Sequence, residues 1–226
     1  MNSIVVTKIP FDPESPLRKE WLTASLLASY YHWSPYKYEP EKPLDDFVAQ
    51  CGHRIELYVF GILSPDYVKV TDSFACEKLK FLATPDGQFT GDDGHYLEIK
   101  SVQKRSRETL YFFFEKYLND EGILLEETIN SRRQCNIFSH VIQCLGNLYL
   151  ANCYHKRKQD FYVLVYYVTL TKELHSFKLT ITDMDFFEDF MEASLGPEGS
   201  FRTLRYQDPF TVLEFLNITR HNILNV

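Results

Sequence analysis

Two short stretches, Thr84-Pro85-Asp86-Gly87 and Leu97-Glu98-Ile99-Lys100, decide how this chain is read. Pro85 and Gly87 punctuate a turn that sets Asp86 at its edge. A second polar turn covers Gly91 to Gly94, and His95 to Val102 then reads as a strand. Side chains alternate faces along a strand, so Glu98 and Lys100 share one side while Leu97 and Ile99 take the other. A hairpin of this form brings Asp86 beside Glu98. Carboxylates held together repel unless a cation lies between them, and hard divalent ions such as Mg²⁺ or Mn²⁺ take oxygen ligands. Lys100 then stands close to that ion, placed to orient or polarise an attacking water.

The 226 residues are enough for one domain with a substantial core, and 1–226 is read as one, with 1–15 as a Pro-punctuated extended arm. A hydrophobic fraction of 45% excludes a disordered chain. No apolar run is long enough to span a bilayer and Met1-Asn2-Ser3 does not open a secretory signal, so no membrane association and an intracellular location, cytoplasm or nucleus, are expected. Reduced thiols fit that compartment. The five cysteines include no Cys-x-x-Cys, and Cys135, Cys144 and Cys153 fall on alternating sides of a helix, which argues against a zinc or iron–sulfur cluster there. A net charge of −7 does not itself suggest nucleic acid. Its distribution matters more: Lys104, Arg105 and Arg107 follow the Glu98–Lys100 strand directly, where a DNA backbone would pass.

Pro16 to Tyr31 reads as one helix, with Ser15 as its cap, Arg18 in its first turns and Leu22-Thr23-Ala24-Ser25 in its middle. Leu44 to Ile62 reads as an amphipathic helix with Leu44, Val48, Cys51, Ile55, Tyr58 and Ile62 as its apolar stripe. On a neighbouring face His53 and Glu56 meet at i, i+3, and Gly52 leaves room for another backbone. Tyr67–Thr71 and Glu77–Thr84 read as strands leading into the hairpin. Ser106–Leu118 reads as an aromatic helix and Gln134–Tyr154 as a long apolar helix, in which Gln143 must find partners for its amide. Asp160–Thr169 and Leu174–Thr182 form an expected antiparallel pair. A helix follows at Asp183–Ala193, capped by Thr182 with Asp185, and another at Pro209–Arg220.

Taken in this order, the motifs resemble the lambda exonuclease group, the YqaJ-type viral recombination exonucleases of the PD-(D/E)xK nuclease superfamily. The resemblance implies an α/β, restriction-endonuclease-like core, a central mixed β-sheet flanked by helices. Arg18 ahead of Leu22-Thr23-Ala24-Ser25 is similar to the family's Arg and I/L-T-A-S run, which implies that Arg18, Thr23 and Ser25 hold a 5′-phosphate. Gly52-His53-Arg54-Ile55-Glu56 is similar to its G-x-x-x-E helix, which implies Glu56 as a further metal ligand beside Asp86, Glu98 and the Ile99 carbonyl. Gln143 matches a helix glutamine near the catalytic Asp86, Glu98 and Lys100.

The implied activity is Mg²⁺-dependent hydrolysis of DNA phosphodiesters, 5′→3′ from duplex ends in recombination or genome processing, with Mn²⁺ able to substitute. Implied partners are DNA ends, a single-strand annealing protein and further copies of the chain. Ser101-Val102 departs from the family's Cys/Ser-Pro, residues 106–132 read as an insertion, and Leu145 stands where a second glutamine is common. Two alternatives remain open: an RNA endonuclease resembling viral cap-snatching domains, with His53 as a Mn²⁺ ligand, and a catalytically silent protein that binds DNA ends.

Overall fold

The computed structural model describes residues 4–30, 46–102, 136–195 and 211–224, and over these the chain is α/β, with two mixed sheets flanked by helices. The order is β1 (Thr7–Pro10), α1 (Pro16–Glu20), β2 (Leu22–Thr23), α2 (Ala24–Tyr30), α3 (Asp46–Leu63), β3 (Tyr67–Lys69), β4 (Asp72–Cys76), β5 (Phe81–Ala83), β6 (Gly87–Phe89), β7 (Tyr96–Val102), α4 (Asn136–His155), β8 (Phe161–Val168), β9 (Glu173–Ile181), α5 (Met184–Leu195), α6 (Val212–Phe215) and β10 (Leu216–His221). The larger sheet runs β10-β9-β8-β7-β6-β3, and only its β7–β8 pairing is parallel. The smaller runs β1-β4-β5-β2, with β5–β2 parallel.

Alternation along β7 and β8 sorts the larger sheet into two buried faces. Tyr96, Val102, Tyr162, Leu164 and Tyr166 join one cluster, while Leu97, Ile99, Val163, Val165 and Tyr167 join the other. Val59, Phe60 and Leu63 of α3 cover the second face. Helix α4 fills the space between the two sheets, packed against β4 and β5 on one side and β7 and β8 on the other. Every residue from Val141 to Ala151 is buried, the pattern of a helix enclosed on all sides. Gly146 permits the close packing of α2, since a Cβ there would lie 3.2 Å from the Phe81 ring and 3.4 Å from the Ala24 methyl.

Several sequence expectations are corrected. The single sheet is two. The N-terminal arm is partly a strand, β1 pairing antiparallel with β4. The helix expected over Pro16–Tyr31 breaks at Trp21, whose backbone is extended, and Leu22 and Thr23 pair with Phe81 and Leu82 instead. Thr23 then caps α2, its Oγ1 accepting the Leu26 N–H at 3.1 Å, which explains hydroxyl residues where a mid-helix position was expected. Ser15 precedes α1 without a side-chain cap.

On α3 the apolar stripe is phased differently: Val59, Phe60 and Leu63 are buried, whereas Tyr58 and Ile62 are exposed. A Cβ at Gly52 would meet nothing within 4 Å among the described residues, so no close backbone approach is seen there. The strand expected over Glu77–Thr84 begins as a turn, with Lys80 at positive φ, and only Phe81–Ala83 forms β5, while β4 occupies Asp72–Cys76 between the two expected strands. Asp183, not Thr182, caps α5 through the Phe186 N–H at 2.9 Å. The expected terminal helix shortens to α6, and Leu216–His221 pairs with β9, as its alternating burial allows. The aromatic helix, the insertion at 106–132, and Lys104, Arg105 and Arg107 lie outside the described residues.

Candidate active site

The hairpin forms as the sequence suggests, with Gly87 opposite Leu97 and Gln88 opposite Tyr96, so Asp86 comes next, opposite Glu98. The Asp86 backbone is tied to both neighbouring strands. Its N–H donates to the Leu97 carbonyl at 3.1 Å, and its carbonyl accepts the Val70 N–H at 3.0 Å. Its Oδ2 accepts the Ile99 N–H at 2.7 Å, which fixes the side chain against β7. Gly87 is required by space and not by backbone angle, because a Cβ there would lie 2.7 Å from the Phe60 ring of α3. Phe60 therefore presses directly on the residue that follows Asp86.

Glu98 is 2% exposed and its oxygens collect three donors. Lys100 Nζ lies 2.7 Å and Gln143 Nε2 2.5 Å from Oε1. Asn147 Nδ2 lies 3.1 Å from Oε2. Lys100 also donates to Gln143 Oε1 at 2.9 Å, so ammonium, carboxylate and amide close a ring of hydrogen bonds. Gln143 thus finds the partners its buried amide requires in Lys100 and Glu98. Asn147 and Tyr162 were missed. The signal was present in a second amide one turn beyond Gln143 on an apolar helix, which a single turn of α4 places on the same side.

Glu56 projects from α3, where Lys69 Nζ lies 3.4 Å and His53 Nδ1 3.7 Å from its Oε2. His53 is largely exposed. Arg18 Nη1 donates to Thr84 Oγ1 at 3.4 Å, and Thr84 shares a 2.7 Å hydrogen bond with buried Ser73. The Arg18 guanidinium also lies over the Phe11 ring, 5.1 Å from its centre. Arg18 is thereby linked to the residue two before Asp86. Thr23 on β2 pairs with Leu82, two residues before Thr84, with its Oγ1 used as the α2 cap, and Ser25 is exposed.

The electrostatics are those of an under-neutralised acidic site. Burial, then the Glu98 charge and that of Glu56, push the Asp86 carboxyl well above the ordinary range, against the pull of Lys100. Burial also raises Glu98, opposed by Lys100 and by the Asn147 hydrogen bond. For Lys100 burial favours the neutral amine, but Glu98 and Asp86 outweigh it and hold the ammonium above its usual value. Three carboxylates thus face two ammonium groups, Lys100 and Lys69.

Among the described residues no group of three His, Cys, Asp or Glu side chains converges closely enough to hold a metal by itself. The donors nevertheless suit a hard divalent ion in kind, being oxygen atoms with excess negative charge. Asp86 and Glu98 are the side-chain ligands on offer. Ile99 contributes a peptide group already bonded to Asp86, and Glu56 is engaged by Lys69. No helix of the described residues is long and apolar enough to cross a membrane. No protein-family model matches the chain, and no curated protein is significantly similar to it in sequence.

Proposed function

We propose that this chain is a divalent-metal-dependent nuclease with a PD-(D/E)xK core, acting on DNA in the manner of the lambda exonuclease group. The observation that carries the proposal is the convergence of Asp86, Glu98, Lys100 and Gln143 from two adjacent strands and a buried helix. Asp86, Glu98 and the Ile99 carbonyl would hold Mg²⁺ or Mn²⁺, with Glu56 available once Lys69 releases it. The ion supplies Lewis-acid stabilisation of charge on the phosphate oxygens and a more acidic bound water.

The chain's own residues do the remainder. Asp86 is held rigidly by the Ile99 N–H and Glu98 by its three donors, so little reorganisation accompanies the reaction. Lys100 remains an ammonium and is not a base. Two of its protons are engaged by Glu98 and Gln143, and the third is available to orient the attacking water. Arg18, Thr23 and Ser25 would receive a 5′-terminal phosphate. Thr23 can still donate its hydroxyl proton while capping α2.

The test is purified protein with Mg²⁺ on linear duplexes bearing 5′-phosphate or 5′-hydroxyl ends, beside a closed circle. Expected is loss of the linear 5′-phosphorylated strand, no loss of the circle, and abolition by Lys100→Ala. Undiminished Mg²⁺-dependent cleavage by Lys100→Ala removes the assignment. One observation favours a second reading: His53 lies 3.7 Å from Glu56, placing an imidazole at the edge of the acidic group. Mn²⁺-selective cleavage of RNA, lost in His53→Ala, would replace DNA by RNA as substrate.

A further inference from the structure

We infer that Asn147, set by Tyr162, is the positioning residue that fixes the second oxygen of Glu98 and couples it to the backbone holding Asp86. The inference rests on the nuclease reading above. The Leu97 carbonyl on β7 accepts two hydrogen bonds, from the Asp86 N–H at 3.1 Å and from the Tyr162 hydroxyl at 3.2 Å. With its only proton given to Leu97, Tyr162 can offer Asn147 nothing but a lone pair. The Asn147 amide must therefore turn its NH₂ toward Tyr162, and Nδ2 lies 3.1 Å from that hydroxyl. The second proton of the same NH₂ points to Glu98 Oε2, also at 3.1 Å. The donors and acceptors leave no freedom for the amide to flip, because a flip would set Oδ1 against a carboxylate and a spent hydroxyl.

The connection from Asp86 N–H through the Leu97 carbonyl, Tyr162 and Asn147 to Glu98 Oε2 is thus continuous and buried: Leu97, Tyr162 and Asn147 are each 0% exposed. Gln143 and Lys100 hold the other oxygen, so neither oxygen of Glu98 can rotate away alone. The arrangement also has a structural drawback. Asn147 Oδ1 is buried and has no hydrogen-bond partner among the described residues, a defect that a leucine of similar size would avoid. A helix enclosed by apolar neighbours gains nothing in packing from an amide with an idle acceptor. What the amide provides is the direction of its NH₂.

The experiment compares the wild type with Asn147→Leu and Tyr162→Phe in three measurements: thermal unfolding without metal, Mn²⁺ binding by calorimetry, and single-turnover cleavage of a 5′-phosphorylated duplex. Asn147→Leu is expected to stay folded and to bind Mn²⁺ about 10–100-fold more weakly, with a comparable fall in single-turnover rate, the range typical of losing a ligand's supporting partner. Affinity for the duplex is expected to be unchanged. Tyr162→Phe frees the amide and should move both quantities in the same direction by less.

A merely structural Asn147 predicts the reverse, a lower unfolding temperature with Mn²⁺ affinity and rate within twofold of wild type, and that result overturns the inference. If Asn147→Leu fails to fold, Tyr162→Phe decides by the same criterion. A wild type that neither binds Mn²⁺ nor cuts DNA overturns the nuclease reading itself and takes this inference with it. That failure shows in the wild-type arm alone.

Discussion

Lys100→Met tests the site without presuming any chemistry. Methionine keeps the length and most of the stem of lysine while removing the ammonium 2.7 Å from Glu98 Oε1. Glu98 is 2% exposed and the Lys100 side chain 22%, so the pair is shielded enough that its loss is not absorbed by water. Removing one partner of a buried pair costs about 3–5 kcal/mol; because Gln143 and Asn147 still donate to Glu98, about 2–3 kcal/mol is expected here. For a chain of this size that is a fall of roughly 5–10 °C in unfolding temperature. The sign with pH follows from Glu98, whose carboxyl already titrates high and titrates higher without Lys100. A carboxyl raised in the folded state favours folding at low pH and loses that advantage as pH rises. The deficit of Lys100→Met should therefore shrink toward acid and grow toward neutral pH. Adding Glu98→Gln should restore most of the lost stability, since deleting both charges leaves neither partner of the pair as a buried ion and also removes the Glu98 charge that opposes ionisation of Asp86. Equal unfolding temperatures for wild type and Lys100→Met at neutral pH, or a double variant less stable than Lys100→Met, would refute the buried pair.

Gly87→Ala places a methyl 2.7 Å from the Phe60 ring, and chemical denaturation should show a loss of about 1–3 kcal/mol. Restoration by Phe60→Leu would identify that contact as the cause. Thr23→Ala removes the α2 cap and should cost about 1 kcal/mol, with faster amide exchange confined to the first turn of α2. Buried His95 donates from Nδ1 to Asp93 at 2.6 Å and accepts the Tyr67 hydroxyl at 2.8 Å on Nε2. Burial, aided by Lys178 and opposed by Asp93, lowers its pKa, so the unfolded chain takes up this proton first and stability falls as pH drops below about 6.5. His95→Gln should flatten that acid limb in unfolding scans from pH 7 to 5. An unchanged slope would exclude His95 as its source.

The local pattern carried most of what was legible. Alternation in Leu97-Glu98-Ile99-Lys100 was enough to place Leu97 and Ile99 in the apolar cluster under α3 and Glu98 with Lys100 on the opposite face, because a strand allows its side chains only two directions. Gln143 was legible because a lone amide in an apolar helix must be satisfied somewhere. The misread elements share one cause, which is pairing with distant segments. Leu22-Thr23 left the helical pattern because β5 offered a parallel partner, and Leu216–His221 became a strand because β9 did. Both segments have residues compatible with either state, and only the tertiary partner decides. The α3 stripe was misphased for a related reason. A periodic count cannot tell which of two overlapping apolar faces, Tyr58/Ile62 or Val59/Leu63, meets the sheet.

The placement of polar groups argues for chemistry more strongly than any motif. Helix α4 has two sheets against it and no face open to water between Val141 and Ala151, so its most stable sequence there would be wholly apolar. It instead carries Gln143 and Asn147, opposite a strand carrying Glu98 and Lys100, with Asp86 entering from the adjacent strand. A buried ionic cluster of this kind is commonly no better for stability than the apolar side chains that could replace it. Burial and neighbouring charge hold Asp86 and Glu98 at raised values, so at neutral pH their ionisation opposes folding in the absence of a cation. Packing alone favours removing these groups. Their joint presence at one point, reached from the start of β6, from β7 and from α4, follows if their task is to bind a cation and act on a substrate. A site of this construction exists only when both sheets have closed on α4, which ties the proposed activity to the complete fold and not to the hairpin by itself.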